Sequence, residues 1–285
     1  MPGALPPMVA AKFVLWLVVV AVSVVLLKRR LVKPAVRIAF LAGGTLLFGF
    51  LFGLLAPKGG LDPNPVFSVR NLVRTLTGAQ AAKGPQAQPG PVVLMLAVLL
   101  GLVWVSNKSV CGWGCPLGLL QDLLHRVPTR KYKPPFWLSN GVRIVAFVAL
   151  VAGLVVAGLD WIGLIDPFQI FRANVSLAIG LSTGAVLLAS LFVYRPWCQF
   201  LCPFGLLGWV VEQFSLMRPR INRDACKNCK LCVKACPTQA MADNYASKKL
   251  RADCFACGAC IMACPRDDAL VWRAPSGQSS RSSKS

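Results

Sequence analysis

Cysteine is the residue type in this chain whose number and spacing could do chemistry. There are twelve cysteines in 285 residues, against one histidine, His125. Eight of them form two runs of one spacing, Cys226-x2-Cys229-x2-Cys232-x3-Cys236-Pro237 and Cys254-x2-Cys257-x2-Cys260-x3-Cys264-Pro265. In bacterial two-cluster ferredoxins the first three cysteines of such a run hold one cluster and the fourth reaches the other. That rule assigns Cys226, Cys229, Cys232 and Cys264 to a first [4Fe–4S] cluster, and Cys254, Cys257, Cys260 and Cys236 to a second. Zinc sites more often pair two C-x2-C units across a longer gap, and disulfides are rare in reducing compartments. Small residues between the cysteines (Ala235, Ala256, Gly258, Ala259, Ala263) let backbone amides approach the sulfurs. A module over residues 217–273 is too small to bury a large core, so clusters would act as its staples.

The other four cysteines form an internal duplication, Cys111-Gly-Trp-Gly-Cys115-Pro116 and Cys198-Gln-Phe-Leu-Cys202-Pro203. Proline disfavours helical dihedrals in the residue before it and suits the first position of a helix. The spacing therefore predicts short helices over Pro116–His125 and Pro203–Phe214, with Cys111 and Cys198 in the preceding turns. Four thiols at one depth could bind a further thiophilic metal or cycle between thiol and disulfide. They could equally be packing residues of a repeated helix junction. Asp160 and Asp166 could take protons from a quinol or line its head-group pocket, although Asp166-Pro167 also reads as a helix-breaking turn. Glu212 and His125 read as surface residues. No phosphate-cradling loop, catalytic triad or nucleotide fingerprint occurs.

The elements that must position these cysteines are apolar. Hydrophobic residues make up 56% of the chain, charged residues 14%, and the mean hydropathy is +0.61. Five stretches approach the roughly 20 apolar residues a membrane span needs: Val9–Leu27, Ala35–Ala56, Pro91–Ser106, Ser139–Leu159 and Ala173–Tyr194. The short third stretch can borrow from Gly84–Gly90. Lys12, Arg37 and Arg143 are expected to snorkel to an interface. A cleaved signal peptide would carry its positive charge before the apolar run; here Lys28, Arg29, Arg30 and Lys33 follow it, so a retained helix is expected. The formal charge of +21 would suggest nucleic acid in a polar protein, but in an apolar one it marks loops beside a membrane. With the C-terminus cytoplasmic, 25 basic residues fall inside and 6 outside, which places the N-terminus outside. Trp104, Trp113, Trp137, Trp161, Trp197 and Trp209 read as an interfacial aromatic belt. The fold class is thus an all-α polytopic membrane bundle of about five transmembrane helices over residues 1–216. A small α+β two-cluster ferredoxin-like domain follows over 217–273, then a disordered tail over 274–285.

Both cysteine pairs and both runs together give a chain that resembles the NapH/MauN family of ferredoxin-type membrane proteins, from about Ile38 to Arg273. Cys111–Pro116, Cys198–Pro203, the Asp62-Pro63 and Asp166-Pro167 turns and the two cluster runs carry the resemblance. It implies the membrane component of a quinol dehydrogenase in a bacterial inner membrane. Such a subunit relays electrons between the quinone pool and a partner ferredoxin-type subunit serving a reductase or dehydrogenase system. It would be an electron-transfer subunit and not a self-sufficient enzyme. NapH-like proteins usually have four spans, and Val9–Leu27 would be an extra one. The alternative is an assembly or regulatory factor that reduces metal or thiols during maturation of another enzyme, with Cys111, Cys115, Cys198 and Cys202 as its working site.

Overall fold

The computed structural model describes residues 7–55, 64–77, 89–172 and 175–274. The Asp62-Pro63 turn, most of Gly84–Gly90, the tail from Pro275 and the Lys12 side chain lie outside the described residues. Runs of Val, Leu and Ala give α1 (Pro7–Lys28) and α2 (Pro34–Gly44), the latter continued by a π-helical segment, Thr45–Leu51, and by α3 (Phe52–Leu55). There follow α4 (Pro65–Thr77), α5 (Pro89–Ser106), a π turn over Val110–Gly114 and α6 (Pro116–His125). Then come α7 (Phe136–Ala157), α8 (Trp161–Ile165), a 3-10 turn over Pro167–Arg172 and α9 (Leu177–Ser190). Two short helices, α10 (Pro196–Phe200) and α11 (Pro203–Glu212), complete the helical part.

Pro34–Leu51 and Phe136–Ala157 are long and apolar enough to cross a membrane, while Phe13–Lys28, Val93–Ser106 and Leu177–Ser190 are apolar and shorter. Of the described residues in the stretch Ala173–Tyr194, Leu177–Ser190 are helical: the Ser176 hydroxyl caps the start, and a turn at Leu191-Phe192 ends the helix. Helix α4 was missed by a search for apolar runs. Val66, Val69 and Val73 recur at helical spacing and are buried, with Arg70 and Arg74 among them, so its apolar content is a stripe and not a run.

The C-terminal module has two strands, β1 (Arg218–Ile221) and β2 (Leu270–Arg273), paired antiparallel with Arg218 opposite Arg273 and Ile221 opposite Leu270. Between them lie α12 (Leu231–Ala235), α13 (Ala240–Tyr245) and α14 (Ala259–Ala263). One apolar core fills the helical part around Trp16, Phe48, Leu99, Leu150 and Phe204. A second joins it to the module, where Leu27, Val32 and Trp113 meet Ile261, Leu270 and Trp272.

Helix α1 also helps to hold the module. Its Trp16 indole donates to the Gly114 carbonyl at 3.1 Å. Just past its end, Arg30 adopts a left-handed φ of 57° and aims its guanidinium at the module. Arg30 donates to the carbonyls of Arg266, Asp267, Leu270, Ile261 and Cys264 at 2.7–3.3 Å. They lie at α14, in the turn after it and at the start of β2; the Ile261 carbonyl also accepts the Cys264 amide. Hydrogen bonds to a charged group contribute about 1.5–3 kcal/mol each and do not add fully. Arg30→Ala is expected to destabilise docking of the module by about 2–3 kcal/mol, measured by hydrogen exchange over 261–270. Unchanged exchange there would show that Arg30 holds nothing.

Candidate metal centre

The two Cys-x3-Cys-Pro turns have one geometry. Cys115 (φ −84°, ψ 112°) and Cys202 (φ −67°, ψ 115°) are the extended residues just before α6 and α11, with proline at the first helical position. The Cys202 sulfur accepts the Gly205 amide at 3.3 Å, whereas Cys115 makes no such capping bond, although the Gly118 amide at the matching position favours its thiolate. Both glycines are needed for space: a Cβ on Gly118 would press on the Cys111 carbonyl oxygen, and one on Gly205 on that of Cys198. All four thiols are buried. Burial pushes the Cys202 thiol up, and the nearby Cys198, Cys111 and Cys115 add to that, so the four share one locality. Burial pushes the Cys111 thiol up to about 12, against the opposing pull of Lys108. Gln121 holds Cys198 from α6: its amide nitrogen is 3.7 Å from the sulfur while its oxygen accepts from the Trp197 amide.

A buried ionic layer surrounds these thiols. Arg195 donates to the Cys111 carbonyl and Arg143 to that of Cys198. Arg37 and Arg195 converge on Asp122 at 2.7 and 3.1 Å, with the Tyr194 hydroxyl donating to the same oxygen. Burial would raise the Asp122 carboxyl, but the two guanidiniums outweigh it and hold it below the usual carboxylate range. Lys108 and Arg143 converge in the same manner on Asp253 of the C-terminal module. Glu212 pairs with Lys108 at 3.2 Å and accepts the Cys254 amide at 2.7 Å. Burial pushes the Glu212 carboxyl up to about 7, against Lys108.

These contacts correct four expectations. Arg37 and Arg143 do not snorkel: both are buried, because Asp122 and Asp253 sit within reach and a buried charge needs a partner. Glu212 is not a surface residue. His125 is half-buried, its Nδ1 3.2 Å from the Ser190 carbonyl. Among the tryptophans, Trp137 and Trp104 are exposed, but Trp113 and Trp197 are fully buried. The Trp113 indole donates to the Ala256 carbonyl at 2.8 Å and so fastens the module.

Within the module, Cys226, Cys229, Cys232 and Cys264 line one cavity, and Cys236, Cys254, Cys257 and Cys260 line another. The two loops repeat their backbone: Asn228 and Ala256, then Lys230 and Gly258, have positive φ at matching positions. Backbone amides of Val233, Ala256, Ala259 and Ile261 are directed at Cys232, Cys254, Cys257 and Cys260. A ring of four soft sulfurs with amides turned inward fits a cubane cluster. Among the described residues, no three His, Cys, Asp or Glu side chains stand close enough to hold a single metal ion.

The second loop is wedged against the thiol layer. A Cβ on Gly112 would overlap the Phe255 carbonyl oxygen. The Phe255 ring lies 5.3 Å from both Lys108 and Arg195 and edge-on to Tyr194 at 5.9 Å. One residue, Phe255, thus separates Cys254 from the Cys-Pro turns.

Asp160 and Asp166 are not part of this layer. Asp160 accepts from Arg70 Nε at 2.8–2.9 Å and pairs with Arg74 at 2.7 Å, while Asp166 lies 3.6 Å from Arg70. Asp160 also accepts the Gly163 amide at the start of α8. Arg143 lies fourteen residues before Ala157, the end of α7, which is about 21 Å along the helix axis, and Asp160 follows beyond that end.

The charged layer was missed by a reading centred on cysteines, although one signal was present. Lys108 and Arg195 stand at the same offset, three residues before Cys111 and Cys198.

Comparison with known proteins agrees with this geometry. Residues 88–135 and 175–223 each match the 4Fe-4S binding domain family, and 218–265 match the 4Fe-4S dicluster domain family. The chain is 27% identical over 236 residues to YccM of Escherichia coli K12, covering 76% of this chain and 65%, just under two thirds, of that one. It is 27% identical over 257 residues to the ferredoxin-type protein NapH of Haemophilus influenzae, covering 83% and 85%. It is 30% identical over 229 residues to the methylamine utilization ferredoxin-type protein MauN of Paracoccus denitrificans, covering 74% and 75%. No solved structure matches. With duplicated Cys-Pro turns, a two-cluster module and this likeness over most of its length, the chain is an iron–sulfur electron-transfer protein and belongs to the NapH/MauN family of ferredoxin-type proteins.

Proposed function

We propose that the chain is the membrane subunit of a quinol-oxidising electron-transfer complex in a bacterial inner membrane. Its anchor is a five-helix bundle of α1, α2 with its π segment, α5, α7 and α9, with the N-terminus outside and residues 217–273 in the cytoplasm. Exposed apolar residues support a lipid-facing exterior: Val145, Val148 and Val156 on α7 and Leu181 and Leu188 on α9. In this reading Cys226, Cys229, Cys232 and Cys264 hold one [4Fe–4S] cluster, and Cys254, Cys257, Cys260 and Cys236 the other. Such clusters take up and release electrons one at a time when bound.

The observation that carries the reading is the seat of Phe255 between the Cys-Pro turns. It makes the bundle and the module one continuous route instead of an anchor with a tethered carrier. Quinol would be oxidised against the cysteine layer. The Arg70–Asp160–Asp166 network lies beyond the far end of α7, about 20 Å away, too far for one head group to touch both, and it ties α4 to α8.

Cys111, Cys115, Cys198 and Cys202 are proposed to hold a further thiolate-bound metal centre. Four buried cations (Arg37, Lys108, Arg143, Arg195) face three carboxylates (Asp122, Glu212, Asp253), and the Nε atoms of Arg143 and Arg195 have no partner among the described residues. An anionic centre would balance that surplus. An assembly factor working by thiol exchange would need accessible thiols, and these are buried.

The test is anaerobic purification with metal and sulfide counting, then quinol titration followed by EPR. About eight irons are expected from two cubanes. Further metal should vanish when the four Cys-Pro cysteines become serine. Clusters that dithionite reduces but quinol does not would sink the quinol reading.

A further inference from the structure

We propose that the rim around Cys229 is the docking face for an acidic electron-carrier protein, an inference that rests on the electron-transfer reading above. The internal duplication supplies the argument, because each loop is a control for the other. Both have the same cysteine spacing and the same left-handed backbone positions, so whatever a cluster needs from its loop, both must provide. They differ in everything else.

In the first loop the intervening positions are Lys227, Lys230 and, on α12, Lys234, with Arg266 two residues past Cys264; all four are exposed. The corresponding residues of the second loop are Phe255, Gly258, Met262 and Thr238. Positive charge at these positions is therefore not a requirement of cluster binding. It occurs where the loop faces away from the bundle, around an exposed cysteine, Cys229. Lys227, Lys230 and Arg266 line the cavity of the first quartet itself. Nearby acidic residues do not cancel the charge: Asp267 pairs with Arg30 at 3.3 Å, leaving Asp224 and Asp268. Among the described residues, no carboxylate lies in ion-pair range of Lys227, Lys230, Lys234 or Arg266.

Anionic lipid is the other surface that attracts lysines. The placement favours a protein, because the second loop packs on the helices while Lys227, Cys229 and Lys230 of the first are exposed. Only the end of the first run is tied back, where Lys133 donates to the Lys234 and Cys236 carbonyls. Complementary charge across such a face steers encounter and sets register, and it weakens with salt.

The experiment uses holoprotein in nanodiscs of zwitterionic lipid. A plant-type [2Fe–2S] ferredoxin serves as acidic probe and a mitochondrial cytochrome c as basic probe, with binding measured at 50 and 300 mM salt. The acidic probe is expected to bind, to lose at least tenfold in affinity at the higher salt, and to lose a similar factor in the doubly reversed variant K227E/K230E. Iron content is measured on the same sample to show that this variant keeps its clusters. The reversal K33E/R130E, at exposed basic residues nearer the helices, should leave binding unchanged. Equal binding of both probes, or acidic-probe binding indifferent to K227E/K230E, overturns the proposal. So does retention of phosphatidylserine vesicles through Lys227 and Lys230 in place of the carrier. If quinol fails to reduce the clusters while the acidic probe still binds, the quinol reading falls and the docking face stands.

Discussion

Asp253→Ala is expected to release the C-terminal module from the helices. Asp253 is buried and is the shared counter-ion of Lys108 and Arg143, which are themselves fully buried. Burial alone would push its carboxyl up, but Lys108 and Arg143 outweigh that and keep it in the charged form below the usual range. Removing it strands two cations in an apolar layer, and breaking a buried pair in this way costs about 3–5 kcal/mol. Limited proteolysis should cut the variant within 213–225, between α11 and the first cysteine run, while the wild-type protein resists. Asp267→Ala is the contrast, since its carboxylate is 97% exposed beside Arg30. Exposed pairs contribute little, and no change in the cleavage pattern is expected. A resistant Asp253→Ala would mean that Phe255 and Trp113 hold the module without the ionic layer.

The second large effect concerns which cluster each fourth cysteine serves. Cys264→Ser should remove the cluster of Cys226, Cys229 and Cys232, about four of about eight irons. The informative measurement is a pair of double variants. Adding Cys229→Ala to Cys264→Ser should cost no further iron, because both ligands belong to one cluster. Adding Cys257→Ala should remove the remaining cluster. If instead each run keeps its own fourth cysteine, the two double variants exchange behaviour. Cys264 lies in the same cavity as Cys226, Cys229 and Cys232, and the Arg30 guanidinium donates to its carbonyl at 3.0 Å.

The iron–sulfur chemistry was legible in the sequence because ligand spacing is local. A C-x2-C-x2-C turn is decided within seven residues, and the effect of a proline on the residue before it is equally local. For the same reason Pro116 and Pro203 marked α6 and α11 to the residue at their first positions. The charged layer was not legible in this way. An arginine at the edge of an apolar helix has one sequence signature whether it reaches lipid head groups or a carboxylate 110 residues away, as Arg143 does. Trp113 has the same ambiguity, since its partner at Ala256 is 143 residues distant. Helix α4 was hidden for another reason: only one face of it is apolar, so a window that averages over all faces sees a polar loop.

The clasp that Arg30 makes on carbonyls between Ile261 and Leu270 bears on how the protein is made. Donor and acceptors are separated by up to 240 residues. During synthesis Arg30 must wait for almost the whole chain before its carbonyl partners exist, whereas Trp16 of α1 meets Gly114 only 98 residues on. In a chain whose module is not yet docked, both cysteine loops are free of the helical part and open to iron and sulfide. Docking then closes the second loop behind Phe255 and Trp113, and it leaves the first loop facing outward. A cluster in the second loop would therefore have to be loaded before that closure. A protein that acquires its clusters late would have to reopen that clasp first.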